Sequence, residues 1–247
     1  MSLNESIVED AAPEWSGVVG YLRIKVVNGF QELVTTPFED GVNAFCWPRA
    51  LPGDFGEVVR HLGAGEGIVT LDEARLASLS VSAAGQVAVG ILRADLRRLR
   101  ECERDPALNC IHGYPRDEEA GPVCTDVFSF HADSAAVEAD TWLCTYHGAA
   151  SEGLRNDEAR RRVDIPETRA ELLKTYGGED DGGFREFLRE HCYDLHYTSA
   201  PQARPFSFGL GNLWRIAVDW PGGAVPPCIH RAPETSAGER PRLLLIS

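Results

Sequence analysis

The stretch VFSFHADS, Val127 to Ser134, decides how this chain is read. An apolar, aromatic run stops at His131, and Asp133 follows two positions later. Side chains of a strand alternate between faces with period two, so a strand here would project His131 and Asp133 the same way. An imidazole and a carboxylate presented together at a strand end form the larger part of a metal site.

A metal needs three or four ligands converging from rigid elements. The third candidate is His230, in PPCIHRAPETSAGERPRLLLIS at the C-terminal end of the chain. It follows a short apolar stretch and precedes the last strand-like run by one loop. In that run Arg242, Leu244 and Ile246 share one face, and Leu243 and Leu245 the other. An arginine at the root of an apolar strand can turn inward and grip a carboxylate through two parallel hydrogen bonds. Arg242 is the first candidate for that role and Arg240 the second. Tyr146 ends another strand-like run, TWLCTY, His147 follows just after it, and both are candidates for hydrogen bonds to a small bound molecule.

The order H-x-D, a distal histidine and then an arginine on the next strand resembles the Fe(II)/2-oxoglutarate-dependent oxygenases of the double-stranded β-helix fold. The wider context, FHADSAAVEADTWLCTYHGAASEGLRNDEARR with HRAPETSAGERPRLLLIS, is also similar to an uncharacterised bacterial family. In that family F-H-x-D, T-Y-x-G and H-R-x-P segments occur in the same order. The resemblance covers residues 120–247. It implies that His131, Asp133 and His230 hold Fe(II). It further implies that Arg242, with Arg240 as second choice and Tyr146 nearby, binds 2-oxoglutarate, and that O2 oxidises a small-molecule substrate. The carboxylate at Asp133 points to hydroxylation or desaturation. Two other readings stay open: a cupin-like metal enzyme that does not use 2-oxoglutarate, and a non-catalytic jelly-roll module that binds a small molecule.

Composition narrows the function classes. The chain has 247 residues, 43% hydrophobic and 25% charged, as expected of a globular protein, and carries a formal net charge of -14. Such a field repels a phosphate backbone, so nucleic-acid binding is not expected. No stretch approaches a membrane span and no export signal is visible, so a cytoplasmic protein is expected. The seven cysteines contain no C-x-x-C pair and read as reduced thiols.

The expected architecture is a single α+β domain over residues 1–247, with a double-stranded β-helix (jelly-roll, cupin-like) core. Residues 1–120 read as a mainly helical N-terminal layer. Asp54 and Asp72 are the caps of two short helices. A longer helix over Gly85 to Glu103 carries Val87, Ile91, Leu92, Leu96 and Leu99 on one face. Residues 121–247 read as the jelly-roll core, because short strand-like runs follow one another without a helix regularly between them. A helical insert is expected at about 157–196. Within it EHCYDLH, Glu190 to His196, is a competing metal motif. It is weaker, because His191 and His196 do not share a helix face.

Overall fold

The computed structural model describes residues 20–117, 121–234 and 240–247. Strand β1 (Ile24–Val26) is followed by helix α1 (Phe30–Thr35), β2 (Ala44–Trp47) and α2 (Phe55–Leu62). Then come β3 (Ile68–Leu71), α3 (Glu73–Ala77), α4 (Ala83–Glu101) and β4 (Ala107–Ile111). The second half contains β5 (Phe130–His131), β6 (Asp140–His147), β7 (Glu152–Leu154) and β8 (Ala159–Arg161). Helices α5 (Pro166–Tyr176) and α6 (Gly182–Glu190) precede β9 (His196–Ser199), β10 (Phe206–Ser207), β11 (Leu213–Ala217), β12 (Ile229–Arg231) and β13 (Arg242–Ile246). No helix among the described residues is long and apolar enough to cross a membrane.

Local chemistry sets the helix ends. The Asp54 side chain accepts from the Glu57 amide, Asp72 from Arg75 and Ser82 from Gly85, satisfying donors that a first turn leaves free. Gly63 (φ 81°) ends α2 in a conformation that a side chain would strain. Pro166 opens α5, where its missing N–H costs nothing. Helix α4 buries Ala88, Val89, Leu92, Leu96 and Leu99. Its face is turned from the expected one, for Val87 is 45% exposed. A charged residue, Asp95, lies fully buried inside the apolar stripe and breaks the pattern that hydropathy alone would trace.

The fold is mixed α+β with two sheets. The first has strand order β1-β2-β11-β6-β13-β4-β3, the second β10-β7-β12-β5-β9-β8. Among the strands of the described residues, only the β1–β2 pair is parallel. Four antiparallel pairs nest one inside the next: β4 with β13, β5 with β12, β6 with β11 and β7 with β10. The first and third pairs lie in the seven-stranded sheet, the second and fourth in the six-stranded one. Residues before 120 therefore supply β1 to β4 as well as helices. The alternating run YLRIKVV, Tyr21 to Val27, reads as a strand and contains β1, but the mainly helical reading of the first half missed β2 to β4, because strands of four or five residues give little periodic signal.

The seven-stranded sheet is buried on both faces. On one, Phe45, Trp142, Cys144, Leu243 and Leu245 pack against Val58, Leu92, Leu96 and Leu99 of the helices. On the other, Cys46, Leu143, Trp214, Ile216 and Leu244 meet Phe208 and Cys228, beside the strands of the second sheet. Full burial of each large apolar side chain contributes about 1.5–3 kcal/mol. Helices α5 and α6 pack on each other through Leu172, Phe184 and Leu188, a separate cluster that includes Val163. The candidate ligands lie on the second sheet.

Candidate metal centre

His131 and His230 are directly opposite each other on β5 and β12, so their side chains leave the sheet on the same face. Their rings stand 4.7 Å apart between centroids. Asp133 follows two residues after His131, past the end of β5. Its amide neighbourhood is fixed by the Asp219 N–H, which donates to the Asp133 carbonyl at 2.8 Å. The three side chains converge: one ligand atom from each lies within 4.8 Å of the others. His131 Nε2 is 4.0 Å from Asp133 Oδ1, and His230 Nε2 is 3.7 Å from Asp133 Oδ2. These separations exceed a hydrogen bond and leave room for an ion between the atoms.

Each imidazole is held by its other nitrogen. His131 Nδ1 donates to the Ser129 carbonyl at 2.7 Å, and His230 Nδ1 to the Cys228 carbonyl at 3.4 Å. A carbonyl only accepts, so Nδ1 carries the proton and the Nε2 lone pairs face Asp133. Thr141 Oγ1 donates to Asp133 Oδ2 at 2.6 Å and fixes the carboxylate rotamer. Gly153, opposite His230 on β7, has no Cβ where the Phe206 and Phe208 rings pass; Phe208 then stacks on the His230 ring at 6.5 Å.

Electrostatics favour the ligating forms. Burial, and then the neighbouring His230, lower the His131 pKa to about 4, so this imidazole is neutral at pH 7. Burial pushes the Asp133 carboxyl up, but His230, the Thr141 hydrogen bond and His131 outweigh it and hold the group below the usual carboxylate range. Neutral imidazole nitrogens with one carboxylate oxygen are a donor set for a divalent transition metal.

Arg242 is buried to 2% exposure on β13. It lies opposite Ile111, whose side chain belongs to the cluster between the sheets, so Arg242 faces that space too. Its guanidinium donates to the Ala149 carbonyl (2.7 Å), the Tyr114 hydroxyl (2.9 Å) and Ser151 Oγ (3.0 Å). No carboxylate pairs with it among the described residues. Burial lowers its pKa, with Tyr114 opposing that shift.

Two expected residues lie elsewhere. Leu243 pairs with His147 but Leu244 with Thr145, so Tyr146 is the extra residue of a bulge in β6. Its ring turns to the helix side of the sheet, stacks on Phe55 at 5.4 Å and donates to Asp95 Oδ2 at 2.8 Å. Tyr146 therefore points away from Thr141 and the candidate ligands. Arg240 is exposed and lines a separate cavity with His147, His112 and Arg60. Neither shares a wall with Arg242 between the sheets.

His196 is the residue that the sequence reading misplaced. It pairs with His131 across β9, which extends the row to His230, His131 and His196 on three adjacent strands. The His131 and His196 rings are 5.7 Å apart. His196 is 4% exposed, and its Nδ1 has no hydrogen-bond partner among the described residues. Burial, then His131, lowers its pKa to about 4. His191, its partner in the competing motif, instead stacks on Tyr193 and lies tilted against Phe187 at the surface. The alternation HYTS after EHCYDL was the available signal for β9, masked by the preceding helix.

Comparison with protein-family models, curated proteins and solved structures returned no match. The functional reading therefore rests on the geometry and chemistry of this chain.

Proposed function

We propose that the protein is a non-haem Fe(II)/2-oxoglutarate-dependent oxygenase acting on a small molecule, with the nested strand pairs forming a double-stranded β-helix. The observation that carries this reading is the convergence of His131, Asp133 and His230 from two paired strands, with both Nδ1 protons engaged by backbone carbonyls. This arrangement suits a metal that keeps open positions for further ligands. Iron with 2-oxoglutarate and O2 would supply oxidative decarboxylation to succinate, coupled to oxidation of the substrate. The chain's own part is to hold the three ligands in fixed rotamers, keep His131 neutral and Asp133 ionised, and present a cation to the co-substrate.

Arg242 supports the same reading. A guanidinium buried without an acid is costly unless an anion arrives, and a carboxylate of 2-oxoglutarate fits that need. The specific observation on the other side is that Ala149, Tyr114 and Ser151 already accept from this guanidinium. That favours, as a second reading, a cupin-like metal enzyme in which Arg242 braces the strand. Measuring succinate formed from 2-oxoglutarate under O2 separates the two. The oxygenase reading expects Fe(II)-dependent succinate that disappears in Asp133→Ala. Metal binding without succinate under every condition would leave the cupin-like enzyme.

A further inference from the structure

A second cluster of basic side chains stands on the opposite face of the seven-stranded sheet, at its rim. A cavity of about 690 Å³ opens there between the end of α2 and the strand ends. Arg60, His112, His147 and Arg240 line it, with Val59, Pro241 and the Gly63–Gly65 loop. The size suits a small organic ligand.

The charge of this wall runs against that of the chain. The protein has 38 acidic residues against 24 lysines and arginines, yet no carboxylate is among the described residues lining the cavity. Asp54 caps α2 and pairs with Arg60 through one nitrogen at 3.1 Å, both side chains being well exposed. Such a pair is weak and leaves most of the guanidinium's donors free. Arg240 has no ion pair among the described residues. His147 makes no hydrogen bond there, and His112 makes only a 3.6 Å contact with Cys110 Sγ. The pKa of His147 is lowered by burial, then by Arg240, with Arg60 adding to the shift and Asp54 opposing it, so the field of the two arginines reaches its ring.

Glycines make room for both rings. A Cβ on Gly65 would sit 2.8 Å from His112 Nε2, and one on Gly56 would sit 3.1 Å from His147 Cε1. The bulge at Tyr146 brings His147 to this side of the sheet. The result is a concave wall of donors with few acceptors. Two guanidinium forks and two imidazoles match the oxygens of a phosphate better than any neutral group.

We propose that this cavity is a binding site for a multiply charged anion of the phosphate-ester class, gripped by Arg60 and Arg240 and hydrogen-bonded by His112 and His147. None of these residues belongs to the metal centre, so the proposal stands apart from the oxygenase reading.

The test is isothermal titration calorimetry of the full, metal-free chain with inorganic phosphate and with pyrophosphate. The wild type, Arg60→Gln/Arg240→Gln, His131→Ala and Arg242→Gln are compared, with circular dichroism to verify folding. The expected result is saturable one-site binding, tighter for pyrophosphate. It weakens at least tenfold in the double variant and is unchanged in His131→Ala and Arg242→Gln. Absence of saturable binding in the wild type would overturn the proposal. So would equal affinity in the double variant, or a loss that follows Arg242→Gln and so places the anion between the sheets.

Discussion

The two faces of the seven-stranded sheet each meet a buried polar cluster, and the clusters differ in how their hydrogen bonds close. On the helix side, Asp95 accepts from Arg49 (2.7 Å), Tyr146 (2.8 Å) and Arg98 (2.8 Å). Arg49 also donates to the Gly211 carbonyl and Cys144 Sγ. On the other side, His131 and His230 point their Nε2 lone pairs at a carboxylate that cannot donate to them, and His196 keeps an orphan Nδ1. A closed network specifies the fold; an open one holds groups ready for something the chain does not provide. The comparison places a closed hydrogen-bond network on one face and an open set of donor atoms on the other.

Acidification gives the largest expected contrast. His131 and His196 each have a folded pKa of about 4 against an ordinary value of 6.5. The unfolded chain therefore takes up these protons first. Stability is complete above pH 6.5 and falls as pH drops toward 4, on the order of 3 kcal/mol for each histidine. On the helix side, Arg49, Tyr146 and Cys144 are all pushed upward, away from that window. Urea unfolding of the metal-free protein at pH 7, 6 and 5 measures the slope, and His131→Asn with His196→Asn should flatten it. A flat wild-type curve would contradict the contrast.

Breaking the closed network comes next. Asp95→Ala strands Arg49 as a buried, unpaired cation, at a cost of about 3–5 kcal/mol. Asp133→Ala, in contrast, removes a ligand from an open cluster, and its folded state should survive with a melting temperature near that of the wild type. Equal damage from both would erase the distinction. Metal should then sharpen it. Free metal at a hundredfold excess over Kd adds about 2.7 kcal/mol to a protein that binds it only when folded. That increment should appear as a raised Tm in wild type and Asp95→Asn, and vanish in Asp133→Ala. The smallest effect is expected from His196→Phe. Replacing an orphan polar ring by an apolar one of similar shape should stabilise the metal-free protein by roughly 1 kcal/mol.

The residues differ in how plainly they announced these roles. Asp54 and Asp72 were legible because a helix end is a local event. Leu243 to Leu245 alternate cleanly, and the sheet uses both faces as that alternation requires. His131, Asp133 and His230 were legible as a set because ligand chemistry limits the residue types. The nested pairing was not, since β7, β10 and β12 are two or three residues long and are defined by partners distant in sequence. Tyr146 was misassigned because nothing local says which face of β6 the helices cover: it follows Trp142 and Cys144 by plain alternation, while the extra residue reverses His147, and a bulge leaves no mark in hydropathy. His196 was hidden for a related reason: its neighbour His131 lies across a sheet, not along the chain.

The central claim is that the open cluster takes iron together with 2-oxoglutarate. The most direct measurement is an anaerobic Fe(II) titration followed by visible spectroscopy, with and without 2-oxoglutarate, on wild type, Asp133→Ala and Arg242→Gln. The predicted result is a weak charge-transfer band that needs both iron and 2-oxoglutarate, is absent in Asp133→Ala, and demands more 2-oxoglutarate in Arg242→Gln. A wild-type protein that binds Fe(II) but develops no band at saturating 2-oxoglutarate, or that binds no Fe(II), would contradict it.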